Sequence, residues 1–144
     1  MRNIWKRYAL GIGALVLALV SGSAFAWPCD FVTGGGWITS TPSGARANFA
    51  VAGGDNGWGH LLYIDHGTGT RVKGTGVTKY VVTGETSRHI EGTAEINGGN
   101  GTYAADVADN GEPGRGRDIF TLTLSTGYTA GGAIEGGNIQ LHCK

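Results

Sequence analysis

Cysteine, proline and methionine are scarce, at two, three and one among 144 residues. Two thiols without a C-x-x-C spacing do not make a zinc site. Charge of one sign is also missing, since eleven Lys plus Arg balance eleven Asp plus Glu. With no basic cluster, the electrostatic footprint of a nucleic-acid binder is lacking. Arg71, Lys73 and Lys79 instead alternate along a strand-like segment, which reads as a solvated face. One long apolar run exists, from Tyr8 to Val20, and it falls short of the roughly 20 residues that span a bilayer as a helix. Beyond it, no ten-residue stretch combines a helical period with a cap, which excludes a helical bundle. Neither a collagen-like triplet repeat nor the G-x-S-x-G elbow of a serine hydrolase occurs.

The apolar run has its own meaning. Arg2, Lys6 and Arg7 precede it, and Ser23-Ala24-Phe25-Ala26 follows it with small residues at the A-x-A positions. This pattern predicts a secretory signal over 1–26, cleaved before Trp27. The expected destination is extracellular or periplasmic, with no membrane span left after cleavage. Eight basic residues then face eleven acidic ones, a net charge of −3 over a single domain, 27–144.

Glycine is abundant, at 28 residues. Interspersed with Val, Ile, Thr, Tyr and Phe, it suits short strands joined by tight turns. Period-two alternation recurs along the chain. Phe49 and Val51 mark one strand. Leu61 to Ile64 lie in another, 59–66, whose two apolar faces predict an internal position. Val72, Val77, Tyr80 and Val82 belong to a long run, 70–83. Ile90, Ala94 and Ile96 alternate with Glu91, Thr93 and Glu95, and Phe120, Leu122 and Leu124 with Thr121, Thr123 and Ser125. Turn signals stand at 53–57, 97–101 and 109–111. About nine short strands are predicted, as an antiparallel β-sandwich or a flattened barrel.

Cys29 and Cys143 lie at the two ends of the exported chain, where an oxidising compartment favours a disulfide. Such a bridge would make the first and last strands neighbours, or set them facing each other across a sandwich. Cys143 shares the parity of Ile139 and Leu141, which predicts a buried bridge.

Four segments, in order, carry a resemblance: Pro28-Cys29-Asp30-Phe31-Val32-Thr33-Gly34-Gly35-Gly36-Trp37-Ile38, Gly59-His60-Leu61-Leu62-Tyr63-Ile64-Asp65-His66, Ala108-Asp109-Asn110-Gly111-Glu112-Pro113-Gly114 and Gly136-Gly137-Asn138-Ile139-Gln140-Leu141-His142. Together they resemble the post-COAP (post-choice-of-anchor) domain of bacterial surface proteins. The resemblance implies a secreted β-rich module and brings no reaction or ligand with it. In the family's usual setting the module ends a larger protein, whereas here it follows its signal directly.

Three functional readings follow from the residues. The first is a non-catalytic binding or surface-assembly module, its ligand contact at Trp58, His60, Tyr63 and His66. Trp58, between two glycines after a loop, is expected to be exposed, and free strand edges would offer self-association. The second is a small hydrolase using His60 or His66 with a carboxylate. On a strand those histidines share one face and Asp65 takes the other, which weakens it. Glu91 and Glu95, about 13 Å apart along a strand, are too distant for a glycosidase pair. The third is a calcium-dependent module holding Ca2+ on Asp106, Asp109, Glu112 and Asp118, although the spacing misses the EF-hand pattern and Arg115 and Arg117 stand among the acids.

Overall fold

The computed structural model describes residues 31–143, so the predicted signal and Cys29 lie outside the described residues. Nine strands run in chain order: β1 (Phe31–Ile38), β2 (Ala47–Gly54), β3 (Gly59–Asp65), β4 (Arg71–Val82), β5 (Ser87–Ile96), β6 (Gly99–Ala108), β7 (Ile119–Leu124), β8 (Thr129–Ala133) and β9 (Gly136–His142). The one helical element among the described residues is a 3-10 turn at Asp55–Gly57. All pairings are antiparallel. β1 to β8 form a meander, and β9 returns to pair with β1.

Of the two expected arrangements, sandwich or flattened barrel, the structure has the second in partly rolled form: one continuous curled sheet. Rolling supplies the core that a second sheet would otherwise give. Phe49 on β2 stacks on Phe120 of β7 with ring centroids 4.0 Å apart, across the inside of the curl. The inward face is carried by odd residues of β2, β3 and β6 and even residues of β5 and β7, among which Val51, Leu61, Ile90, Val107 and Leu122 are buried. The curl also explains how 134–135 alone link β8 to β9, which lie at opposite ends of the strand order. Three residue steps reach only about 10 Å, so these strand ends approach one another. Ile134, in the link, is fully buried.

The turn at Asn97-Gly98 sets a register that matters below. Both residues have positive φ, 49° and 84°, the geometry that matches the twist of adjoining strands. It pairs Ile96 with Gly99, and by counting outward His89 with Asp106.

β3 is internal, between β2 and β4, as its sequence implied. Its two apolar faces are not both buried, however: Leu61 is covered, whereas Leu62 is 52% exposed. β1 and β9 are neighbours, with Phe31 opposite His142. The parity argument for a buried bridge fails at the strand end. Ile139 is buried and Leu141 half-buried, but Cys143 is exposed, because the inner face opens outward at the rim.

Candidate functional site

The free edge of β9 is covered by side chains in place of a strand. Asp118, itself fully buried, accepts from Ile139 N–H at 2.7 Å and from Asn110 N–H at 2.8 Å. Asp109 accepts from Leu141 N–H at 2.9 Å. Two carboxylates thus take alternate N–H groups of β9 as a tenth strand would. Gly114 makes room for this, since a Cβ there would stand 2.1 Å from Asp118 Oδ2. The other sheet edge is met by the β1–β2 loop, where Gly131 N–H donates to Ser40 O at 2.8 Å. Part of each sheet edge is thus already occupied, which narrows the backbone open to strand addition.

This finding reassigns the acidic residues. Asp109 and Asp118 serve β9, and Glu112 accepts from Asn138 Nδ2 at 3.1 Å. Asp106 belongs to β6 rather than to the loop, and it contacts His89. Among the described residues no group of three or more His, Cys, Asp or Glu converges to hold a metal ion.

The predicted binding residues divide by strand parity. Tyr63 is 1% exposed and lies inside the curl, so it shares no groove with His60. Its hydroxyl stands 2.6 Å from that of Tyr128, which donates to Asp65 Oδ2 at 2.7 Å. Because Tyr128 gives its single proton to Asp65, Tyr63 must donate to Tyr128. Burial pushes both phenols upward, Tyr128 far above the ordinary range. Burial also acts to raise Asp65, but hydrogen bonds from Tyr128, Gly67 and Thr68 outweigh it and hold the carboxyl below its usual value. Asp65 is buried and faces inward, whereas His60 and His66 are exposed on the opposite face, and His66 contacts Asn48 at 2.9 Å. The hydrolase reading thus lacks its nearest carboxylate.

Trp58 is 50% exposed, as expected from its glycine flanks. Its carbonyl accepts from Gly54 N–H, Gly54 pairs with Phe31, and Phe31 pairs with His142. These pairings align three rings across the outer face. Trp58 meets Phe31 edge-on at 5.3 Å, and Phe31 stacks on His142 at 4.4 Å. Thr33 Oγ1 fixes His142 Nε2 at 2.7 Å. The next row contains His60, Ala52 and Thr33, in register. Ala52 is buried although its parity points outward. Comparison with protein families, curated proteins and solved structures finds no match.

The sequence reading missed His89. Its Nδ1 lies 2.7 Å from Asp106 and its Nε2 3.0 Å from Glu91, with Lys79 4.0 Å beyond Glu91. Hydrogen bonds to Glu91 and then to Asp106 raise its pKa. Both ring nitrogens face carboxylates, which only accept, so the protonated imidazole satisfies both contacts at once. The signal was present in the alternation His89, Glu91 and in the Asn97-Gly98 register. A second Asn-Gly at Asn100-Gly101 offered a competing register and hid the pair.

Proposed function

We propose that the chain is a secreted, non-catalytic binding module that engages an extracellular or cell-surface component through the Trp58–Phe31–His142 row. The observation carrying this reading is the solvent-facing Trp58, seated on a fixed aromatic neighbour and flanked by His60. An exposed ring on a rigid support presents apolar area at little conformational cost. The resemblance to post-COAP domains and the signal over 1–26 support export. The Cys29–Cys143 bridge belongs to the same proposal, supported by the pairing of Phe31 with His142, two and one residues along the chain from those cysteines. Purified protein is mixed with insoluble cell-wall sacculi, chitin and cellulose, and with vesicles of anionic lipid. Binding to one of these, with tryptophan emission shifted and both effects lost in Trp58→Ala, is expected. Equal binding by Trp58→Ala, or no binding to any surface, would remove this site from consideration.

A further inference from the structure

We propose that Asn56 is a self-modifying site, which converts to isoaspartate by attack of the Gly57 amide nitrogen and thereby unseats Trp58. Four Asn-Gly pairs occur, beginning at Asn56, Asn97, Asn100 and Asn110. Glycine leaves the nitrogen that follows each asparagine unhindered, so all four invite the same chemistry. The fold separates them. Asn97 Oδ1 accepts from Arg71 N–H at 2.8 Å, and Asn97 N–H donates to Arg71 O. Asn110 is held three ways: Nδ2 donates to Arg117 O, Oδ1 accepts from Thr86 Oγ1, and N–H donates to Asp118 Oδ1. Asn100 and Gly101 are both fixed in the β5–β6 ladder, opposite Glu95 and Ala94. Asn56 is exposed, and its side-chain amide has no hydrogen-bond partner among the described residues.

The backbone of this turn also rearranges readily. None of Asp55, Asn56 and Gly57 is buried. The two ends of the turn are tied by Gly54 N–H donating to Trp58 O at 3.0 Å. Asn56 sits at φ 66°, in the left-handed region that a residue with a Cβ occupies only at an energetic cost. Exposure and a strained centre lower the free energy of local opening. In the opened turn the Gly57 nitrogen bonds to Cγ of Asn56, the Cγ–Nδ2 bond breaks, and ammonia leaves with the Gly57 amide proton. Water then adds to the five-membered succinimide. Opening at the main-chain carbonyl of Asn56 gives isoaspartate, and opening at Cγ gives aspartate. Isoaspartate puts one extra carbon into the main chain between Gly54 and Trp58, and sets a new carboxylate beside that of Asp55. The Gly54–Trp58 bond fits the shorter chain, so the longer one displaces Trp58 from its edge-on seat on Phe31. This chemistry does not depend on which ligand the ring row takes.

The test holds the full protein in mildly alkaline buffer, digests it at intervals and maps the peptides by mass spectrometry, with isoaspartate labelled by a specific methyltransferase. The mass gain of amide-to-acid conversion should appear first at Asn56, about tenfold faster than at Asn97, Asn100 or Asn110, a gap of about 1.4 kcal/mol in barrier. In guanidinium-denatured protein the four sites should convert at comparable rates. In aged protein the indole N–H of Trp58 should shift in NMR spectra, while that of Trp37, stacked against Arg46, should not. Asn56→Gln, whose longer side chain needs a six-membered ring, should keep the Trp58 signal unchanged over the same period, and circular dichroism reports its fold. No conversion at Asn56 while the denatured chain converts, equal rates at the four sites in the folded protein, or the same ranking in folded and denatured chains would overturn the proposal. So would conversion at Asn56 with the Trp58 resonance unmoved, or an equal Trp58 shift in aged Asn56→Gln.

Discussion

Asp118 is where this fold can be tested most severely. Its two oxygens accept from Ile139 N–H and Asn110 N–H at 2.7 and 2.8 Å. Asp118→Ala leaves both donors without an acceptor, at about 1–3 kcal/mol each, or about 2–6 kcal/mol together. For a domain of this size roughly 4 °C accompanies each kcal/mol, so the melting temperature should fall by about 8–24 °C. The sharper variant is Asp118→Asn, which is nearly the same shape. One oxygen is replaced by an NH2 group that must then face an N–H donor. The isostere should therefore melt close to the alanine variant rather than close to the parent. Circular dichroism gives the melting point, and hydrogen exchange should show Ile139 losing protection before the amides of β5. Asp109→Ala, which strands only Leu141 N–H, should cost about 1–2 kcal/mol. If Asp118→Asn melted within about 2 °C of the parent with Ile139 still protected, the carboxylates would not be closing the sheet edge.

His89 gives a pH signature. Its folded pKa is raised, so its stabilisation is complete below the ordinary value near 6.5 and disappears as pH rises through the folded one. Chemical denaturation of the parent should show a loss of roughly 0.5–1 kcal/mol across that window, absent in His89→Gln. Tyr128→Phe removes the donor to Asp65 and the acceptor of Tyr63, for a loss of about 1–3 kcal/mol. Asp65 is held low in the fold, so its contribution exists above the ordinary carboxylate range and is lost as pH falls through the folded value. Without Tyr128 the folded value climbs, and acid unfolding, followed by circular dichroism, should begin at higher pH. Cys143→Ser, or reduction of the parent, should cost about 4–5 kcal/mol by loop entropy. Mass spectrometry of the exported protein should find two hydrogens fewer than the dithiol.

Much of the fold was legible because the alternation of side chains is strict. Phe120, Leu122 and Leu124 are buried while Thr123 and Ser125 are exposed, as their spacing required. Strand count and antiparallel order follow from the same pattern and from the turns, whereas the meeting of the first and last strands was read from the two terminal cysteines. The choice between sandwich and flattened barrel was not legible, since the contact of Phe49 with Phe120 depends on how far the sheet rolls, and alternation is the same in both. The contacts of the acidic loop were not legible for a related reason. Carboxylates around glycines suit a cation and a strand edge equally well, and the order β8–β7–β6–β5–β4–β3–β2–β1–β9 decides which donors stand nearby. Tyr63 and His60 were grouped by nearness in sequence, although an odd separation puts them on opposite faces. Trp58 was placed correctly by its glycine neighbours.

The return of β9 to β1 has a consequence for how the chain acquires its shape. Neighbouring segments of the meander can zip together while later ones are still being made, but β1 keeps one flank unsatisfied until residues at the far terminus arrive. That last docking spans nearly the whole polypeptide, and contacts so distant in sequence assemble slowly. A chain truncated before Gly136 would retain eight of its nine segments and still present a raw margin to solvent, which marks the final few residues as the latch that protects it from sticking to its own copies.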